Sequence, residues 1–184
     1  MKIATITVTA VALASLCAAA SASVVNRGIT EAEVLAAQAG WCKALVNINQ
    51  TFEKSGQAAA KALAEKVIDG AYGYKMGAVL FKPTLTTAPH TFRTTRAGAL
   101  AYFVGGDSNF PNDTGFALKG WTKCESKNAA IFIAGDSASS MGNVIITDKG
   151  GKVTTVDKTW KYVKDDAGRL RIVVHHSSLP FKGN

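Results

Sequence analysis

The hydrophobic pattern changes period along the chain, from helical in the first half to alternating in the second. Val34, Leu35, Gln38, Trp41, Cys42, Leu45 and Ile48 recur at helical spacing. Thr30-Glu31-Ala32-Glu33 in front of them has the form of a capping box, with Thr30 as N-cap and Glu33 three residues on. An Ala-rich run from Ala58 to Ile68 predicts a second helix ending near Gly70. Gly77-Ala78-Val79-Leu80-Phe81 predicts a short strand leading to Lys82-Pro83-Thr84. Proline disfavours helix just before it, so Thr84 sits on extended or turning chain. A third helix is predicted from Thr95 to Val104, ended by Gly105-Gly106. From Phe116 onward the period falls to two, with strands over roughly 116–126, 129–135, 141–148, 152–164 and 169–179. Gly150-Gly151 and Asp166-Ala167-Gly168 supply hairpin turns. Helices followed by an antiparallel meander predict an α+β fold. Its expected form is a strongly curved antiparallel sheet wrapped around the N-terminal helices, leaving a cone-shaped cavity.

The last strand, Arg171-Ile172-Val173-Val174-His175-His176-Ser177-Ser178-Leu179-Pro180, carries the candidate chemistry. Two imidazoles and two hydroxyls interrupt a β-branched run. A buried polar group left unpaired costs about 1–3 kcal/mol, so such an interruption calls for a reason. Side chains alternate across a strand, placing Val173, His175 and Ser177 on one face and Val174, His176 and Ser178 on the other. His175 and Ser177 are therefore expected to point into whatever the sheet encloses. His176 and Ser178 are expected outside, or at a subunit contact.

The N-terminus bears on where the protein works. Met1-Lys2 is a minimal positive region, an apolar run follows from Ile3 to Ala20, and Ala20-Ser21-Ala22 offers small residues for cleavage. This reads as a secretory signal peptide over residues 1–22. Bulky Leu16 ahead of Cys17 argues against lipidation. The remaining residues, 23–184, make one domain by length. Loss of Lys2 takes the formal net charge from +8 to +7. The lysines are scattered, without a dense run interleaved with aromatics, so a nucleic-acid partner is not expected. The surplus charge suits solubility and the steering of small anions. No membrane anchor is expected. Cys42 and Cys124 remain after signal removal, either bridged in an oxidising compartment or separate buried thiols. No Cys-x-x-Cys pattern points to redox catalysis or a zinc knuckle.

Three segments come in order and at suitable spacing: Lys82-Pro83-Thr84, Ala99-Leu100-Ala101-Tyr102-Phe103-Val104-Gly105-Gly106, and His175-His176-Ser177-Ser178. Together they resemble the iota-class carbonic anhydrases of the nuclear-transport-factor-2-like (SnoaL-like) superfamily, over nearly the whole of residues 30–181. Members often show three consecutive histidines at the ending; here Val174 stands in the first place. The resemblance implies a lyase that reversibly hydrates carbon dioxide to bicarbonate. It nominates Thr84, Tyr102, His175 and Ser177 as lining the pocket, the three hydroxyls holding water or bicarbonate and His175 orienting the network or shuttling the proton. Both metal-free and metal-dependent members are implied, and the expectation here is metal-free. The alternative is zinc held by His90, His175 and His176, but adjacent strand residues point to opposite faces. Two readings from other classes are an exported small-ligand binder and a purely structural association domain. A homodimer through the sheet is expected.

Overall fold

The computed structural model describes residues 28–183. The apolar N-terminal run read as a signal peptide lies outside the described residues. The capping box forms as its sequence predicts. The Thr30 hydroxyl accepts from the Glu33 amide at 3.3 Å, and the Glu33 carboxylate accepts from the Thr30 amide at 2.8 Å. Helix α1 (Glu31–Ala71) follows. The two predicted helices are one element bent at Gly56, whose φ of 79° lies in the left-handed region that glycine tolerates without strain. One limb buries Val34, Gln38, Trp41, Leu45 and Ile48, and the other buries Ala60, Ala64 and Ile68.

Strand β1 (Leu80–Lys82) is followed by α2 (Arg96–Val104), buried from Gly98 onward and ended by Gly105. Four strands complete the fold: β2 (Trp121–Ala134), β3 (Ser137–Asp148), β4 (Val153–Lys164) and β5 (Leu170–Ser178). The sheet order is β1-β5-β4-β3-β2. The meander β2 to β5 is antiparallel, but β1 joins β5 in parallel, so the sheet is mixed. Parallel pairing is possible because α2 and the whole meander intervene between the two strands.

Three predicted boundaries are corrected. Residues 116–118 form a short 3-10 turn, since Gly115 enters with φ 83° and the Trp121 indole donates back to the Phe116 carbonyl at 2.6 Å. The break expected near residue 127 is a bulge between Asn128 and Ala130 within one continuous strand. It presses the backbone of Lys127 and Asn128 against Gly142, where a Cβ would collide with the Lys127 carbonyl. The next strand begins at Ser137, four residues earlier than 141, because Gly135 with φ 60° already makes the turn. A disulfide joins Cys42 on α1 to Cys124 on β2, settling the open choice for the two thiols. The core lies between α1 with α2 and the inner face of the sheet, where Val144, Ile146, Val156, Trp160, Tyr162 and Ile172 are buried.

Candidate functional site

The parallel register sets Lys82 opposite His176, so the chain leaving β1 crosses over the end of β5. Pro83 turns it, and the Thr84 hydroxyl meets the Ser177 hydroxyl at 2.5 Å. Lys82 Nζ donates to the Ser177 carbonyl at 3.1 Å, holding the same crossing. Tyr102 comes from α2, stacked on Phe116 at 5.4 Å and edge-on to Phe81 at 5.7 Å. Its hydroxyl is buried beside Thr84 and Leu85 without completing a hydrogen bond. Burial pushes the phenol well above its ordinary pKa, with the Leu85 and Thr84 groups pulling the other way, so it keeps its proton. Thr84, Tyr102 and Ser177 are thus brought together as three hydroxyls.

His175 is 1% exposed and shares the inner face with Ser177, while His176 is exposed on the other face, as strand alternation predicts. The imidazole stacks on Phe81 at 4.4 Å and meets the edge of Trp41 at 5.6 Å. Nδ1 lies 2.8 Å from the Tyr72 hydroxyl, which accepts from the Trp41 indole at 2.9 Å. Nε2 lies 2.9 Å from Lys158 Nζ. Burial, and then the charge of Lys158, hold His175 well below the usual histidine range, so the ring is neutral. Lys158 is 4% exposed and sits over the rings of Trp41 and Trp160, at 4.8 and 5.6 Å. Burial pushes its amine down to about 7.

Tyr72 and Lys158 do not emerge from the motif argument above. Lys158 has a signal: it keeps the parity of Val156, Trp160 and Tyr162, which places it on the core face of β4. Tyr72 stands four residues after Ile68, one helical turn on along the same buried stripe.

The three histidines are not brought together. His90 lies on an exposed loop against Phe110, His176 faces out, and His175 alone is inside. Among the described residues no group of three or more His, Cys, Asp or Glu is placed to hold a metal ion. Asp113 is engaged elsewhere, accepting two bonds from Arg93 Nη2 at 2.7 and 2.8 Å and one from Nε at 3.0 Å. Asp107 caps its own loop through the Asn109 amide.

The comparisons with known proteins agree with this geometry. A family model for metal-independent carbonic anhydrase matches residues 32–179. A metal-independent carbonic anhydrase from Nostoc sp. (strain PCC 7120) is 69% identical over 159 residues, spanning 86% of this chain and 78% of that protein. The crystal structure of an iota-carbonic anhydrase from a cyanobacterium, complexed with bicarbonate, is 67% identical with a TM-score of 0.86. It covers 89% of this chain and 99% of its own. A putative calcium/calmodulin-dependent protein kinase II association domain from Xanthomonas campestris shares the fold at 26% identity, with a TM-score of 0.51 over 82% of this chain and 88% of its own. On a match that spans both the hydroxyl cluster and the buried histidine, the chain belongs to the metal-independent carbonic anhydrases, the iota class.

Proposed function

We propose that this carbonic anhydrase hydrates carbon dioxide in the cradle formed by Thr84, Tyr102 and Ser177, with His175 beside it. The observation that carries the reading is the Tyr102 hydroxyl, buried next to the Thr84–Ser177 pair with no partner of its own. A buried donor without an acceptor is the place for a small polar guest. One hydroxyl of the Thr84–Ser177 pair donates to the other, leaving one free proton there and a second on Tyr102. Two donors and several lone pairs match a bicarbonate ion, which offers anionic oxygens and one O–H. In the hydration direction the same lone pairs orient a water, and the donors meet the charge that develops on the carbon dioxide oxygens. The buried rings of Phe81, Phe103 and Phe116, all packed on the Tyr102 ring, give the apolar surroundings that suit carbon dioxide. The bicarbonate held by the 67%-identical cyanobacterial enzyme supports a site of this kind.

Stopped-flow hydration tests the reading on exhaustively chelated protein. The rate should survive chelation and fall about a hundredfold in Tyr102→Phe, the loss of one preorganised donor. A Tyr102→Phe enzyme as fast as the parent would place the chemistry elsewhere.

We infer further that the chain is exported and pairs through the outer face of its sheet. The apolar run from Ile3 to Ala20 and the Cys42–Cys124 bridge support an oxidising destination. Phe132 and Met141, 73% and 60% exposed, support the pairing face.

A further inference from the structure

His175 stands in the middle of a buried chain of groups in which Lys158 has no carboxylate partner among the described residues. The direction of that chain follows from what each group can do. An indole N–H only donates, so Trp41 makes the Tyr72 oxygen an acceptor. With Lys158 as a neutral amine, Tyr72 O–H donates to His175 Nδ1, and His175 Nε2–H donates to the Lys158 lone pair. The Trp41, Tyr72 and His175 protons then all have acceptors. With Lys158 as an ammonium, which has three donors and no acceptor, Nζ must donate to Nε2. His175 then carries its proton on Nδ1 and gives it to the Tyr72 oxygen, and the Tyr72 O–H loses its acceptor. One proton on Lys158 therefore turns over the tautomer of His175.

Lys158 also borders the cradle. It is the direct register partner of Ser177 across β4 and β5, on the same inner face, where cross-strand Cβ atoms stand about 5 Å apart. Around its amine stand Trp41 from α1, Trp160 from its own strand and His175 from β5, with Ser177 its register partner across the strand pair. Its partner on β3 is Gly142, which adds no side chain. Lys82 from β1 is the next cation, held at the Ser177 carbonyl. Asp157 lies on the opposite face with Asn143, and His176 is also on that side.

We propose that Lys158 is the proton store of the reaction, taking up the proton that hydration releases beside its register partner Ser177, and that the tautomer His175 adopts at equilibrium differs between the neutral and the charged amine. This role rests on the hydration site proposed above. As the water oxygen bonds to carbon, one C=O pair moves onto the substrate oxygen and one water O–H bond breaks. That proton ends on the Lys158 lone pair, giving bicarbonate and an ammonium. The ammonium returns the proton to solvent, or supplies it when the reaction runs toward carbon dioxide. An amine that burial holds near neutrality both accepts and gives up a proton under working conditions.

Two measurements on the full chain test this. The first follows the ring nitrogens of His175 by nitrogen-15 NMR from about pH 5.5 to 9, around the ordinary histidine range. The ring should stay neutral while its proton moves from Nδ1 to Nε2, at the same pH where the hydration rate rises. The second compares stopped-flow rates of the parent and Lys158→Met. Methionine fits between the two indoles, so the variant should melt no lower than the parent. It should hold one tautomer at every pH, lose the step in the rate profile, hydrate about a hundredfold more slowly, and recover partly with added imidazole. A His175 tautomer that never changes in the parent would overturn the proposal, as would a Lys158→Met enzyme with the parent's rate and profile. If the variant does not fold, the parent's NMR titration decides. A parent without hydration activity would remove the site reading and this role together, whereas an active parent indifferent to Lys158 removes this role alone.

Discussion

Two histidines adjacent in the chain should behave as unrelated residues. His175→Ala removes a ring stacked on Phe81 and hydrogen-bonded at both nitrogens, which should cost about 2–4 kcal/mol as a core cavity with unpaired neighbours. His176→Ala, on the exposed face, should stay within about 0.5 kcal/mol of the parent. Urea titration of both variants checks this, and equal losses would mean the strand faces are assigned wrongly. Lys158 gives a second test at this scale. Its folded value of about 7 lies below the ordinary 10.5, so between those limits the unfolded chain binds the extra proton. Stability should therefore rise from about pH 7 to 10.5, with the full penalty present below 7. His175, held low by burial, adds a loss of stability as the pH falls below its ordinary 6.5. Lys158→Met should flatten the alkaline rise and stabilise the neutral protein by on the order of 2 kcal/mol. A stability curve flat from neutral to alkaline pH would show that the amine is not desolvated.

At the scale of elements, the Cys42–Cys124 bridge closes a span of 82 residues between α1 and β2. The chain-entropy model gives about 4–5 kcal/mol for a loop of that length. Cys42→Ser with Cys124→Ser should lower the urea midpoint and steepen the slope, since the unbridged unfolded chain is more expanded, leaving the cradle intact. A double variant as stable as the parent would show that the bridge only decorates a contact already made. Gly142→Ala should destabilise more than Gly56→Ala shifts any packing, because the first meets the Lys127 backbone and the second meets open space and only a strained φ.

Much of this was legible, for definite reasons. The capping box and the alternation of β5 from Val174 onward are local, so His175 and Ser177 could be placed on one inner face from spacing alone. Thr84 and Tyr102 came only with the family resemblance. The irregularity that puts Ile172 rather than Val173 inside left no mark in the sequence. The parallel pairing of β1 with β5 was not legible either, since strand partners nearly a hundred residues apart leave no local mark. Gly56 reads as the end of one helix because a bend and a break look alike in a pattern whose apolar period lapses there. Lys158 obeyed the alternation of β4, yet a lysine is normally assigned to solvent. The residue that breaks that habit is the one placed beside the candidate site.

For the whole molecule, the outer sheet face is the open question that a solution measurement answers. Light scattering on the purified chain should give twice its monomer mass, and Met141→Lys should split the pair, since a charge in the middle of an apolar contact is left unpaired. A monomer at micromolar concentration would remove the pairing face.

The bend at Gly56 has a consequence of a different kind. Trp41 rides on one limb of α1, and Tyr72 caps the end of the other, so their 2.9 Å hydrogen bond spans the elbow like the latch of a folded jackknife. Straightened, a helix of 41 residues would reach about 60 Å and carry the two rings far apart. His175 then has no acceptor or donor at Nδ1, whatever β5 does. On the proposal that the chain is exported, it crosses in that condition, without the buried histidine network until the knife shuts.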